Sequence, residues 1–360
     1  MRQSRIGGPR SRATAIRASL AITVMMSMGG LATVQPASAT VAGENGQIAW
    51  SRFADAAFTH ADIVSANPDG TGLHKLTRTP SGTYDFNPDW SPDGTKVAFE
   101  RDTPDGGGIF TVNADGSRLR QITFAAFGDQ DPAWSPDGTR IAVERFDIPA
   151  RRDGIYILDA DGSHPVQVTQ NDARGENLEP QWSPDGKELV FGIASDTQGH
   201  AVFTVNLDGS DERQITPWSL DALHADWSPD GRRIVVEAPD LDSAGPGQSS
   251  NVFTVRPDGS HLVNVTNYSG GTLNATNPAW APDGKHLTFV QKPGSGKLGY
   301  TDVFTMSLVN DHASDIQPVS TSVLWDFRPD WGSRQSSAGS RTERESSSST
   351  PMTSGSHCGS

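Results

Sequence analysis

Acidic residues outnumber basic ones in this chain of 360: 43 Asp and Glu stand against 29 Lys and Arg, for a formal net charge of −14. That sign argues against a partner made of nucleic acid or of anionic lipid. One cysteine, Cys358, leaves no pair for an intrachain disulfide, so the fold must rest on its packed core.

The chain opens on a segment with the marks of an export signal. Arg2, Arg5, Arg10, Arg12 and Arg17 precede an apolar run from Ala18 to Val34, and Ala37-Ser38-Ala39 supplies small residues for cleavage. Residues 1–39 are therefore expected to be a signal peptide. No adjacent arginine pair precedes the apolar run, which favours the general export route, and no cysteine near the cleavage site could carry a lipid. Cleavage would remove five arginines and no acids, taking the net charge from −14 to −19. The mature protein is expected to be secreted or to reside in the cell envelope, as a monomer without an integral membrane span.

Past this segment a phrase repeats. Trp90-Ser91-Pro92-Asp93-Gly94 recurs from Trp134, Trp182 and Trp227, returns with one change at Trp280-Ala281-Pro282-Asp283-Gly284, and ends in the stump Trp331-Gly332. The tryptophans stand 44, 48, 45, 53 and 51 residues apart. A period of about 40–50 residues built from short strands is that of a β-propeller. Within one period, Asn87–Trp90 reads as an extended run and Ser91-Pro92-Asp93-Gly94 as a turn, since Pro presets φ, Asp bonds nearby backbone and Gly accepts a positive φ. Lys96–Glu100 and Gly108–Val112 follow as strands, Asn113-Ala114-Asp115-Gly116 as a hairpin turn and Arg120–Thr123 as the fourth strand.

Two further marks keep the same register. An Asp-Gly turn precedes the fourth strand at Asp69, Asp115, Asp161, Asp208 and Asp258; only the last unit departs, with Asn310-Asp311 expected in a longer connection. An apolar residue followed by threonine recurs at Leu76-Thr77, Ile122-Thr123, Val168-Thr169, Ile215-Thr216 and Val265-Thr266. The first unit begins inside a blade: Gln47-Ile48-Ala49-Trp50 aligns with Lys96-Val97-Ala98-Phe99, and its missing first strand is supplied by Phe327–Trp331. The fold expected is all-β, a six-bladed β-propeller over residues 40–332 whose N- and C-terminal strands share one blade and close the ring. The repeated tryptophans are expected to pack between blades. From Ser333 to Ser360 the composition collapses, with 11 of 28 residues serine, and this reads as a disordered tail.

The turns are nearly uniform, whereas the strand two–three connections are long and varied at Ser51–His60, Asp147–Arg152, Asp240–Ser250 and Gln291–Asp302. Recognition usually sits on varied loops. The residue three before each repeated tryptophan is expected, by strand alternation, to face the central channel on that side. These residues are Asn87, Asp131, Glu179, His224, Asn277 and Arg328, all polar, with Asp85, Asp129, Asn177 and Asp326 two positions earlier. In one reading they bond one another, backbone and channel water, as buried polar groups must. In another they hold a ligand: a partner's peptide or a sugar, with Arg328 as a carboxylate contact. Asp131, Glu179 and His224 also offer hard oxygen and imidazole ligands for a divalent metal, although no cofactor is required by the pattern.

The order Pro-x-Trp-Ser-Pro-Asp-Gly, apolar strand, Ile/Val-Phe/Tyr-Thr/Ile-Val/Leu, Asp-Gly and closing apolar-Thr resembles the propeller repeat of TolB and its relatives, over roughly residues 44–332. TolB carries an α/β domain ahead of its propeller; only Thr40–Asn45 separates the expected cleavage site from the first strand, so the resemblance is to the propeller without that domain. Prolyl-oligopeptidase-type peptidases share the repeat, but no Gly-x-Ser-x-Gly elbow occurs here. Oligogalacturonide lyases share it too, with metal-supported chemistry on the propeller. The expectation is an exported non-catalytic scaffold that binds a protein or envelope component through the varied-loop face. The alternative is a metal-dependent carbohydrate-active lyase or hydrolase at the channel mouth.

Overall fold

A computed structural model describes residues 42–124, 128–146, 153–240, 249–269, 273–292 and 300–334. The expected signal peptide lies outside them, as do the expected tail beyond Arg334 and the loop stretches 147–152, 241–248 and 293–299. Among the described residues every element but one 3-10 turn, Trp218–Leu220, is a strand.

The strands run in chain order as hairpin-connected fours. The first set is β1 (Asn45–Phe53), β2 (Ala61–Ala66) and β3 (His74–Lys75), followed by β4 (Tyr84–Trp90), β5 (Lys96–Thr103), β6 (Gly106–Asn113) and β7 (Arg120–Gln121). Next come β8 (Asp129–Trp134), β9 (Arg140–Arg145), β10 (Gly154–Asp159) and β11 (Val166–Gln167), then β12 (Glu176–Trp182), β13 (Glu188–Ser195), β14 (Gly199–Asn206) and β15 (Arg213–Gln214). The rest are β16 (Leu223–Trp227), β17 (Ile234–Pro239), β18 (Ser250–Val255) and β19 (Val263–Asn264), then β20 (Ala275–Trp280), β21 (His286–Gln291), β22 (Asp302–Val309), β23 (His312–Pro318) and finally β24 (Asp326–Ser333). Four of the sheets have four strands each, β8–β11, β12–β15, β16–β19 and β20–β23. The remaining strands form an eight-stranded sheet in which β24-β1-β2-β3 and β4-β5-β6-β7 meet through a single parallel bridge, Ala61 to Tyr84. Among the described residues no sheet closes on itself; multiple four-stranded antiparallel sheets are the architecture of a propeller.

The repeated turn builds itself from its own side chains. Ser91 Oγ donates to Asp93 Oδ1 at 2.7 Å and accepts from the Lys96 N–H at 2.9 Å, and the same serine–aspartate pair recurs at Ser135, Ser183 and Ser228. The Ser135 hydroxyl holds the Asp137 carboxyl down to about 2. Where Ala281 lacks the hydroxyl, His286 Nδ1 lies 2.7 Å from Asp283 Oδ2 and Asn45 Nδ2 donates to the same oxygen at 2.9 Å.

The recurring threonine has an equally local purpose. Oγ1 of Thr77, Thr123, Thr169, Thr216 and Thr266 accepts the backbone N–H of the facing third-strand residue at 2.9–3.1 Å. A side chain thus replaces a ladder bond, and the outer strands are only two residues long in these units rather than the four expected. Short edges of this kind resist pairing with other chains. The last unit keeps the device with Ser320, whose Oγ accepts the Val303 N–H at 2.9 Å. Its Asn310-Asp311 segment is not a longer connection. It is a two-residue hairpin turn between β22 and β23, with both φ positive (52° and 62°) as a type I′ turn requires, and it is the outer strand that lengthens.

Each repeated tryptophan is at most 5% exposed and sits in a cluster drawn from two successive four-stranded units. Trp90 packs with Ala49 and Ile63, Trp134 with Ala98 and Ile109, Trp182 with Ala142 and Ile155, Trp227 with Val190 and Val202, and Trp280 with Val235 and Val252. Trp331 and Trp50 pack with Val303 of β22 and with Ala281 and Val319, which follow β20 and β23. β24 pairs antiparallel with β1, Ile48 facing Trp331, and touches both β4 and β20.

Candidate binding site at the inner strands

The six residues three before the tryptophans share one backbone state. Asn87, Asp131, Glu179, His224, Asn277 and Arg328 have φ of 55°, 52°, 56°, 54°, 52° and 59°. Each falls where the ladder between first and second strand loses register, between Phe86 and Asp89 in β4 and at the matching steps of β8, β12, β16, β20 and β24. This corrects the alternation argument: a bulge, not simple pleating, aims these side chains. A left-handed φ is costly for residues other than Gly, Asn and Asp, so holding Glu179, His224 and Arg328 there requires support from their surroundings.

That support is a buried polar network. Asn87 Nδ2 donates to Glu100 Oε2 at 2.9 Å and also to Asp131 Oδ1. Arg328 Nη1 reaches Asp131 Oδ1 at 3.4 Å, across from β24. His224 lies with Nδ1 2.7 Å from Glu237 Oε2 and Nε2 3.6 Å from Glu179 Oε1. Glu179 also accepts the His224 N–H at 3.2 Å, and Glu237 accepts the Asn277 N–H at 3.1 Å. Thus all six residues sit at one end of the inner strands and five of their side chains join the network; Asn277 enters it through its backbone.

Burial dominates the electrostatics. It pushes Glu179 up to about 7, against the pull of His224. Burial also raises Glu100 and Glu144 well above the usual carboxylate range, with neighbouring carboxylates adding to it, and raises Asp131 despite Arg328. His224 would be depressed by burial, but the carboxylates of Glu179 and Glu237 outweigh it and hold it above its ordinary value.

Glu100, Glu144 and Glu237 were not singled out from the sequence. They follow the apolar run of the second strand at one register in three repeats, after Phe99, Val143 and Val236, and that recurrence was a readable signal. The acids two positions before the mouth residues are structural. Asp85, Asp129 and Asp326 form bidentate pairs with Arg101, Arg145 and Arg52 at 2.6–2.9 Å, while Asn177 donates to Thr169. Asp131, Glu179 and His224 belong to one network, yet no group of three or more His, Cys, Asp or Glu among the described residues is arranged to hold a metal ion. A cleft of about 700 Å³ lies at the opposite, turn end, lined by Asn45, Asp69, Trp90, Asp115 and Arg334. It presents no comparable network of buried charge. Among the described residues no helix is long and apolar enough to cross a membrane.

Comparison with known proteins agrees with the repeat and the sheets. The profile of the TolB beta propeller domain, of the PD40 type, matches residues 129–244. The uncharacterized protein Atu1656 of Agrobacterium fabrum is 28% identical over 143 residues, 38% of this chain and 46% of that protein. The Tol-Pal system protein TolB of Francisella tularensis subsp. mediasiatica is 30% identical over 202 residues, 54% of this chain and 44% of that protein. The chain spans less than half the length of either relative. The crystal structure of TolB from Acinetobacter baumannii superposes with a TM-score of 0.65 at 16% identity, covering 91% of this chain and 75% of that one. Over residues 129–244 the chain matches the TolB beta propeller domain of the PD40 type, and the relatives it resembles support a TolB-like PD40 propeller.

Proposed function

We propose that this chain is an exported, non-catalytic six-bladed propeller that binds a protein or cell-envelope component at the inner-strand end. Six blades in a closed ring are supported by the tryptophan clusters, each joining one unit to the next and the last to the first, and by the pairing of β24 with β1. Export is supported by the arginine-rich, apolar leader sequence.

One observation carries the binding reading. Six matching bulges hold six residues in the same left-handed conformation, yet their chemistry differs: amide, carboxylate, imidazole and guanidinium. Constant geometry with varied side chains marks a scaffold presenting a specific surface. The carboxylates of the network are turned toward one another and toward Arg328 and His224, which suits recognition better than bond cleavage. The test is affinity capture from native envelope and culture fluid, with wild type beside an Asp131→Asn/Arg328→Gln variant. A partner held by wild type and lost by the variant is expected; polysaccharide degradation with no partner captured would favour the lyase or hydrolase alternative.

A further inference from the structure

We propose that a half-buried aromatic cluster beside the channel mouth docks an extended peptide segment of a partner protein, one that pairs an apolar side chain with a lysine or arginine. This rests on the reading that the inner-strand end is the binding face.

Six rings from three stretches of chain form the cluster. Phe53 ends β1, Phe58 lies in the loop after it, Tyr84 and Phe86 open β4, and Trp325 and Phe327 flank Asp326 at the start of β24. Buried Phe53 meets Phe58, Tyr84, Phe86 and Phe327 with ring centroids 4.9, 6.3, 6.2 and 5.3 Å away, and Trp325 meets Phe58 at 5.9 Å. The other five rings are only half-buried, and Val323 beside Trp325 is 67% exposed. Single exposed apolar residues need no explanation, but a contiguous set does.

The neighbouring residues say what would cover it. Phe86 and Phe327 touch at 5.5 Å, and the next residue on each strand, Asn87 and Arg328, reaches the same carboxylate, Asp131. Patch and network are therefore continuous across two strands. In the network five carboxylates, Glu100, Asp131, Glu144, Glu179 and Glu237, face two basic side chains, Arg328 and His224. Burial keeps part of this excess of acid protonated, so its pull on a cation grows as pH rises and the carboxyls ionise. Elsewhere arginines already cover aromatic faces, as Arg101 does Phe110 at 4.8 Å and Arg233 does Trp280 at 4.6 Å. Among the described residues none covers Phe58, Tyr84, Phe86, Trp325 or Phe327. An apolar side chain against these rings, with a basic one reaching the mouth, matches both halves of the surface. A cation arriving there would also draw protons off the network, so binding should tighten as pH rises.

The experiment exposes labelled full-length protein to an array of hexapeptides pairing Phe, Leu or Ala with Lys, Gln or Glu, beside immobilised neutral oligosaccharides. Phe–Lys and Leu–Lys peptides should be retained at least about tenfold better than their Glu counterparts, more strongly at higher pH, and lost with Phe86→Ser or Trp325→Ser. Val323→Lys should weaken and Val323→Glu strengthen retention, a pair of changes at an exposed side chain that leaves the core alone. Equal retention of acidic and basic peptides, indifference to these substitutions, or retention of the oligosaccharides instead would overturn the proposal. Partner capture that survives Phe86→Ser and Trp325→Ser but fails with Asp131→Asn/Arg328→Gln would remove the patch and keep the mouth; capture surviving all of them removes both.

Discussion

The backbone N–H of Trp90 donates to Asp330 Oδ2 at 2.7 Å, joining the second repeat to the final strand across 240 residues of sequence. The same bond runs from Trp134 to Asp89 and from Trp280 to Asp226, each aspartate standing just before its own repeat's tryptophan. β24 thus enters the structure as an ordinary member of the series. Asp330→Ala would leave a buried N–H without its acceptor, a loss of about 1–3 kcal/mol. Urea unfolding should show a lower midpoint with an unchanged slope, and Asp330→Asn should recover part of the loss.

Gly332 stands where four other repeats have serine and one has Ala281, for a steric reason. A Cβ on Gly332 would lie 2.5 Å from Trp90 Cγ. Gly332→Ser, although it restores the repeat's own residue, should therefore destabilise by about 1–3 kcal/mol. A thermal melt no lower than wild type would show that the Trp90 indole can move aside.

Trp280 is fully buried in the cluster between the β16–β19 and β20–β23 sheets. Trp280→Ala should cost about 3–5 kcal/mol, and differential scanning calorimetry would measure it.

The mouth network sets a pH dependence. Glu179 is raised to about 7 and His224 is raised above its ordinary value, so both hold protons in the folded state that the unfolded chain releases. Stability from both is complete in acid. It falls as pH rises, for Glu179 from the ordinary glutamate value up to about 7 and for His224 through its raised folded value. Melting temperatures should drop as pH rises from about 5 to about 7, and Glu179→Gln, which keeps a neutral side chain throughout, should flatten that slope. An unchanged slope would mean that Glu179 is ionised across this range.

The repeat made the strands and the tryptophans between units legible, because one residue type at a fixed period reports a fixed packing environment. The six mouth residues were legible through the same register. The left-handed bulge beneath them was not, since Asn or Asp at three of the six positions tolerates that φ but does not require it. Two of the arginine clamps left a readable mark, since Arg101 and Arg145 each stand 16 residues after their aspartates, Asp85 and Asp129; the third, Arg52 with Asp326, is separated by 274 residues and carries no such spacing. The aromatic cluster draws on both chain ends and could be assembled only once β24 was seen beside β1 and close to β4.

The most direct measurement places a photo-crosslinking residue at Phe58, in the loop beside the mouth, and in a second protein at Asp115, on the turn end. Each is irradiated with native envelope and culture fluid. The account predicts a discrete partner adduct from position 58 and none from position 115. Adducts from position 115 alone would move recognition to the turn end and contradict it.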